Sequence, residues 1–231
     1  MIQPGDIISY MEMCSQEGVS LQRGMNFGLR GPISVILMSR RPEAPYTDRI
    51  EDGGKTLIYE GHDAPRTQDC PEPKKVDQPE FSITGALTQN GLFWKAVAAY
   101  KEGRAPAAQV RVYDKIKMGI WTYAGIFELV DAWLQDERDR RTFKFKLRVL
   151  DDAKERAQDE HHEIPHNRLI PTDVKMEVWK RDKGKCVLCG SQKNLHFDHV
   201  LPFSKGGTSL LLGNIQLLCA KHNLQKGNKL E

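Results

Sequence analysis

Three cysteines and one histidine near the C-terminus have the spacing of a metal site. Cys186 and Cys189 form one pair, and Cys219 and His222 form a second pair with the same spacing about thirty residues later. Two such pairs supply the four ligands of a tetrahedral structural zinc site. Cysteines that merely pack in a core have no need of this paired spacing. The sequence therefore predicts one structural Zn²⁺.

Polar residues suited to phosphodiester hydrolysis lie beside these pairs. Residues 195–200 (LHFDHV) contain Asp198 and His199, Asn214 precedes the second pair, and Asn223 follows it directly. The reaction needs a base for the attacking water, a cation that neutralises developing charge, and groups that hold both. An imidazole is largely neutral near pH 7 and can accept the proton. These residue types fit a metal-dependent nuclease.

Residues 171–229 resemble the HNH (ββα-metal) nucleases, in the subgroup that carries zinc knuckles. The resemblance rests on an Asp-His pair on a first strand, a glycine-rich turn (KGG), an asparagine, and a helix that starts inside the second ligand pair. It also includes a preceding helix at Thr172 to Arg181. It implies two strands and a helix around one catalytic ion.

The resemblance assigns a role to each residue of this catalytic set. It implies that His199 is the general base, that Asp198 and Asn223 hold a divalent ion, and that Asn214 braces the hairpin and orients the histidine. The last motif residue is Asn223 rather than histidine, which favours Mg²⁺ or Mn²⁺. His222 stands where many relatives have cysteine, a difference that should alter the affinity for zinc but preserve the site.

Basic residues flank both ligand pairs, and residues 168–231 carry eleven Lys and Arg against five Asp and Glu. We expect them to grip the DNA backbone without reading its sequence. They are Lys175, Lys180, Arg181, Lys183, Lys185, Lys221, Lys226 and Lys229. His196 shares a strand face with Asp198 and is expected in the substrate cleft or on the surface.

Segments of the first 150 residues resemble SRA (YDG) domains. The resemblance covers about residues 20–150 and rests on residues 46–62, on residues 123–133 and on the strand at 143–149. The signature Tyr-Asp-Gly reads Tyr-Ala-Gly here, at residues 123–125. SRA domains are curved β-barrels of the PUA-like type that flip 5-methylcytosine out of duplex DNA.

The SRA resemblance implies a pocket for the flipped base, which needs flat surfaces for stacking and a polar group for its edge. Tyr46 and Tyr59 would sandwich the base, and Asp48 would accept a hydrogen bond from its exocyclic amine. Asp52 is the alternative for that role. The backbone near Gly61 would approach the ring closely. A strand tyrosine pair beside an Asp- and Gly-rich turn, with no pocket, is the other interpretation.

The elements that must position these residues are mainly β in the first 150 residues. Apolar runs at 34–39, 57–59, 109–113 and 120–133 predict strands. Residues 143–149 alternate strictly between apolar and basic side chains, which fits an edge strand kept soluble by lysine or a strand that faces phosphate. One helix is expected, capped by Thr88 and ended by Gly103. Its inner face is Leu92, Phe93, Ala96, Val97 and Tyr100.

Charge divides the chain into three parts. The overall net charge is +3, but residues 151–167 carry two basic against six acidic residues. We predict a reading domain at 1–150, an acidic linker at 151–170 and a nuclease domain at 171–231. The linker histidines are expected to be solvated rather than metal ligands; they are His161, His162 and His166. The fold class is α+β, with an SRA-like curved β-barrel and helix followed by a zinc-stapled ββα-metal domain.

The sequence gives no sign of a membrane segment or an export signal. No run approaches the roughly 18 apolar residues of a membrane span, and residues 1–6 lack the basic-then-apolar layout of a signal peptide. We expect a cytoplasmic protein whose partner is double-stranded DNA and not a membrane.

These features predict a modification-dependent DNA endonuclease, type IV-like, that recognises 5-methylcytosine by base flipping. They leave 5-hydroxymethylcytosine open as a ligand. One active site per chain predicts a homodimer for a double-strand break. The alternatives are an HNH homing or nicking enzyme without modified-base specificity, and a non-catalytic zinc-containing reader of modified DNA.

Overall fold

The computed structural model describes residues 2–29, 31–41, 44–52, 55–137, 140–150, 170–202 and 205–227. Almost all of the predicted linker, with its three histidines, lies outside these residues. The described part is a mixed α+β structure with one large sheet and a separate two-stranded sheet. None of its helices has the length and apolar character needed to cross a bilayer.

The large sheet contains eight strands within the described residues: β1 (Ile7–Ser9), β2 (Met25–Asn26), β3 (Ser34–Met38), β4 (Arg49–Glu51), β5 (Thr56–Glu60), β6 (Ala108–Lys117), β7 (Ile120–Glu137) and β8 (Arg140–Val149). Their order is β2-β3-β6-β7-β8-β5-β4, with β1 paired to β7. Among these strands, β3 and β6 pair in parallel and the other neighbours are antiparallel. The apolar runs therefore correspond to strands, as predicted.

The barrel expected for the first 150 residues does not close through strand pairing among the described residues. The hydrogen-bonded path ends at β2 on one side and at β4 on the other. One carboxylate instead joins β3 to β5: Asp48 accepts hydrogen bonds from the backbone amides of Ser39 (3.3 Å) and Glu60 (3.1 Å). A side chain thus connects strands that are not neighbours in the sheet.

Strand β8 is a central strand, so the two interpretations of its lysines are wrong for Lys144. It pairs with β7 on one side and β5 on the other. Lys144 is fully buried, and its Nζ lies 2.9 Å from carboxylates of both Glu60 and Glu137. Buried charges persist only when they are paired in this way. This lysine is a structural ion-pair partner rather than a contact for solvent or phosphate.

Two helices pack with the large sheet. The predicted helix is α2 (Gln89–Lys101), where Thr88 accepts the capping hydrogen bond from the Gly91 amide and Phe93 enters the core. Helix α1 (Tyr10–Glu17) was not predicted. It begins with a capping box in which Ser9 and Glu12 bond reciprocally to backbone amides.

The C-terminal residues form helix α3 (Thr172–Arg181), strands β9 (Leu195–His199) and β10 (Ile215–Cys219), and helix α4 (Ala220–Lys226). Strands β9 and β10 pair in antiparallel register, with His199 opposite Ile215 and Asp198 opposite Gln216. This is the expected strand-strand-helix order. Its apolar core includes Ile116 of β6, so it packs directly on the large sheet.

A buried polar junction joins α3 to β6. Asp114 is fully buried and accepts hydrogen bonds from Thr172 Oγ1 (2.6 Å) and Lys175 Nζ (3.3 Å). Burial lowers the pKa of Lys175, and Asp114 opposes that effect. Lys175 was expected to grip DNA, but it lies in this junction instead, so that expectation is wrong.

Candidate functional site

The four predicted zinc ligands lie together in the structure. The ligand atoms of Cys186, Cys189, Cys219 and His222 are all within 4.8 Å of one another. The Cys189 and Cys219 sulfurs are 3.8 Å apart, and His222 Nδ1 lies 3.4 and 3.3 Å from the Cys186 and Cys219 sulfurs. Zinc bonds of about 2.3 Å to sulfur and about 2.0 Å to nitrogen give tetrahedral edges of about 3.8 and 3.5 Å. The donor set and its spacing fit zinc.

Local folding explains how the cluster forms. Gly190 has a positive φ of 72° and completes the tight turn after Cys189. Cys219 is the N-cap of α4, so His222 lies one turn later on the same side. Burial alone would raise the pKa of the Cys186 thiol, but hydrogen bonds from nearby backbone amides lower it to about 6. A thiolate is the form that binds zinc.

Asp198 lies in a hydrogen-bonded group between β9 and α4. Its Oδ2 is 2.9 Å from Lys226 Nζ and 3.2 Å from Gln216 Nε2. Asn223 lies one helical turn before Lys226 and therefore on the same side of α4. A carboxylate and an amide on facing elements are hard oxygen ligands that fit Mg²⁺ or Mn²⁺.

His199 is on the opposite face of β9 from Asp198. Its Nε2 lies 2.8 Å from the hydroxyl of Ser209, a residue with no exposed surface. The His199 carbonyl accepts a hydrogen bond from Lys226 Nζ at 2.6 Å. The side chain and backbone of this histidine are therefore both held in place.

Asn214 braces the loop between β9 and β10. Its Oδ1 accepts from the Leu201 amide (2.8 Å), and its Nδ2 donates to the carbonyls of Thr208 (3.0 Å) and Leu201 (3.3 Å). Gly207 is required beside it, because an added Cβ would lie 1.9 Å from the Leu201 carbonyl oxygen. The loop thereby places Ser209 against His199.

Sequence reasoning missed three members of this site: Ser209, Gln216 and Lys226 as a partner of Asp198. No local sequence pattern identifies Ser209 as the partner of His199, because Thr208 beside it also carries a hydroxyl group. Lys226 was expected on the DNA-binding surface and is 3% exposed, so that expectation is wrong. Arg181 is likewise engaged, with Asp182 and two backbone carbonyls.

His196 contributes to a contact between β9 and the N-terminal residues. Its Nδ1 lies 2.7 Å from Asp6 Oδ1, and the two residues form an isolated antiparallel bridge. His196 therefore lies between the two-stranded sheet and the N-terminal residues of the large sheet. It pairs with Asp6, rather than lying in the substrate cleft or free on the surface as expected.

A second candidate site is a cavity of about 810 Å³ beside the large sheet. Tyr46, Asp48 and Tyr59 all line it, as does His62. Asp52 is in the exposed turn after β4 and accepts a hydrogen bond from Thr56, so of the two aspartates only Asp48 faces the cavity. Basic side chains also line it; they are Arg23, Arg41 and Lys115.

The aromatic residues of the cavity are grouped around His62. Its ring is stacked with that of Tyr46 at 5.8 Å between centroids, and its Nε2 lies 3.4 Å from the Tyr59 hydroxyl. Burial lowers the pKa of His62 to about 4, so the ring is neutral near pH 7. Tyr59 is 1% exposed, which leaves Tyr46 as the more accessible tyrosine of the pair.

Gly61 serves a packing role beside the cavity rather than in its lining. An added Cβ would lie 2.7 Å from Asn90 Oδ1 and 2.8 Å from Phe143 Cβ. Asn90 in turn donates to the His62 carbonyl and accepts from the His62 amide. The close approach at Gly61 therefore fixes the backbone that carries His62.

Burial raises the pKa of Asp48 from its ordinary value of 3.8 to about 7. The folded protein then binds this proton more tightly than the unfolded chain, so its stability should fall as the pH rises from about 4 to about 7. Asp48→Asn lacks this ionisable group. The free energy of unfolding of the variant minus that of wild type should therefore be about 2–3 kcal/mol larger at pH 8 than at pH 5. Denaturant unfolding at both pH values measures this. Asp52→Asn is the control for removing one carboxylate, and a difference for Asp48→Asn that does not vary with pH would contradict the prediction.

Comparison with known protein families agrees with the HNH resemblance. The HNH endonuclease family model matches residues 186–229, which include the zinc cluster and α4. No curated protein is significantly similar in sequence. Structural neighbours include the SUVH5 SRA domain with hemi-methylated CG DNA, at 23% identity and a TM-score of 0.45, covering 65% of this chain and 90% of that one. Another is the modification-dependent TagI restriction endonuclease, at 18% identity and a TM-score of 0.43, covering 98% of this chain and 78% of that one.

Proposed function

We propose that this protein is a modification-dependent DNA endonuclease. The observation that carries the nuclease part is the group formed by His199, Asp198 and Asn214 beside the Cys3His cluster, within a segment that matches the HNH endonuclease family. In this proposal, residues 1–150 recognise the modified base and residues 171–231 cut the DNA. The enzyme is type IV-like in depending on the modification.

The proposed mechanism uses the two faces of β9. His199 takes a proton from the attacking water, and the Ser209 hydroxyl fixes the orientation of its ring. Asp198 and Asn223 would hold one divalent ion, Mg²⁺ or Mn²⁺, which when bound neutralises charge on the scissile phosphate. Zinc bound by the Cys3His cluster would fix the start of α4, which carries Asn223. A double-strand break would then require two chains, because the described residues of each chain contain one such group.

The proposed ligand of the cavity is a flipped 5-methylcytosine, with 5-hydroxymethylcytosine as the second candidate. The cavity supports this proposal because a half-buried carboxyl, Asp48, and an aromatic ring, Tyr46, line the same space. Its basic lining residues suit phosphates at the mouth. The His62 ring is stacked on Tyr46 and its Nε2 lies 3.4 Å from the Tyr59 hydroxyl, so the two tyrosines would sandwich the base only after His62 moves.

Substituting Asp48 tests the reading function. Stacking is worth roughly 1–3 kcal/mol per base, and losing one partner of a buried polar contact costs about 1–3 kcal/mol. Asp48→Ala should therefore lose at least tenfold of the preference for methylated over unmodified duplex. Competition binding with short duplexes measures this, and Asp52→Ala is the matched control.

Non-specific affinity of Asp48→Ala should remain, because it comes from lysines and arginines and depends on salt. Equal binding of both duplexes by the wild-type protein would exclude the reader while leaving the nuclease intact. In that event the chain would be a nicking enzyme without modified-base specificity.

A further inference from the structure

The candidate ion site contains a buried positive charge. The Lys226 side chain is 1% exposed, and its Nζ lies 2.9 Å from Asp198 Oδ2 and 2.6 Å from the His199 carbonyl oxygen. Gln216 donates to the same carboxylate oxygen from the neighbouring strand. One oxygen of the proposed ion ligand is therefore already engaged before any ion or DNA binds.

The charges at this site nearly cancel. Of the two proposed ligands, Asp198 is charged and Asn223 is neutral, and the Lys226 ammonium offsets the Asp198 charge. A divalent cation approaching the free Asp198 oxygen meets the repulsion of an ammonium on the same carboxylate, in a place where burial weakens screening. Mg²⁺ sites in proteins often rely on one or two carboxylates together with substrate phosphates.

We propose that Lys226 keeps the affinity of the free protein for its divalent ion low, so that the ion is held firmly only when a DNA phosphate supplies the missing negative charge. This inference rests on the proposed function, since it takes Asp198 as an ion ligand. Lys226 is a positioning residue in this scheme: it orients Asp198 and ties α4 to β9. The consequence is that ion binding and DNA binding strengthen each other by the same factor.

Binding of Mn²⁺ to the zinc-loaded full-length protein without DNA tests the charge effect, measured by electron paramagnetic resonance. Lys226→Met keeps most of the buried side-chain volume but removes the charge, and should bind Mn²⁺ at least tenfold more tightly than wild type, about 1.4 kcal/mol. Lys226→Arg keeps the charge and should stay within about threefold of wild type. Lys221→Met removes an exposed charge from the same helix and should leave the Kd for Mn²⁺ in the absence of DNA unchanged. Asp198→Asn should abolish the site in every background.

If Lys226 has only a structural role, the variants should show a different order of Mn²⁺ affinities. In that case Lys226→Met would loosen the contact between α4 and β9 and would bind Mn²⁺ no more tightly, or less tightly, than wild type. That result overturns the proposal. Zinc content and thermal unfolding of each variant establish that the C-terminal residues remain folded.

A second measurement keeps Lys226 in place and does not depend on the folding of a charge variant. In a His199→Ala background, which should cut about 10²- to 10⁴-fold more slowly than wild type, a methylated duplex should lower the Kd for Mn²⁺ at least tenfold. An unchanged Kd with Lys226 present overturns the proposal. Plasmid cutting by wild type is scored separately. If wild type does not cut, the proposed function is wrong. If wild type cuts but the duplex does not change the Kd for Mn²⁺, only the proposed role of Lys226 is wrong.

Discussion

His199→Ala should reduce DNA cutting by about 10²- to 10⁴-fold and leave DNA binding nearly unchanged. The substitution removes the proposed general base, whose contribution has this magnitude, and removes no charged group that contacts phosphate. The measurement is the single-turnover rate of nicking of a supercoiled plasmid at saturating protein, with duplex affinity measured in parallel.

His196→Asn is the matched control for His199→Ala, because it removes a histidine of the same strand that pairs with Asp6 instead of Ser209. It should keep most of the activity. Ser209→Ala should fall between the two, since His199 remains but its ring loses a partner, and Ser209→Thr should recover part of the rate. Near-normal cutting by His199→Ala would show that another group accepts the proton.

Removing zinc should unfold the C-terminal residues rather than merely slow the enzyme. The cluster joins the turn after Cys186 to the start of α4, and structural zinc in such small modules contributes about 10–16 kcal/mol of apparent binding free energy. Metal analysis should find one tightly held zinc per chain. Chelation, or Cys219→Ser, should abolish cutting and expose the core around Phe197 and Leu217 to hydrogen exchange.

Cys70→Ser is the control, because Cys70 is a free, half-buried thiol outside the cluster. It should retain zinc, stability and activity. A zinc-free protein in which residues 170–227 exchange as slowly as in the native state would contradict the assignment.

Short-range patterns predicted much of the fold and the metal ligands. The Cys and His spacing led directly to the cluster, and the apolar runs led to the strands of the large sheet. Helix α1 was missed although Ser9 and Glu12 carry a capping-box signature. At eight residues it shows only a weak apolar periodicity, so its local signal is the cap.

What the sequence could not predict is the pairing of charges across distant parts of the chain. Lys144 and Lys226 look like surface lysines in their local pattern, and each is buried because Glu60 or Asp198 neutralises it. The choice between Asp48 and Asp52 also depended on contacts between distant parts of the chain. Asp48 lies between the end of β3 and β5, which are not neighbours in the sheet, and no local spacing contains that information.

Cleavage of methylated and unmodified copies of one plasmid is the most direct test of modification-dependent cutting. We expect the zinc-loaded protein with Mn²⁺ or Mg²⁺ to cut the methylated copy at least tenfold faster, Asp48→Ala to lose most of this preference, and His199→Ala to cut both copies much more slowly. Equal cutting of both copies would contradict modification dependence. No cutting of either copy would contradict the nuclease.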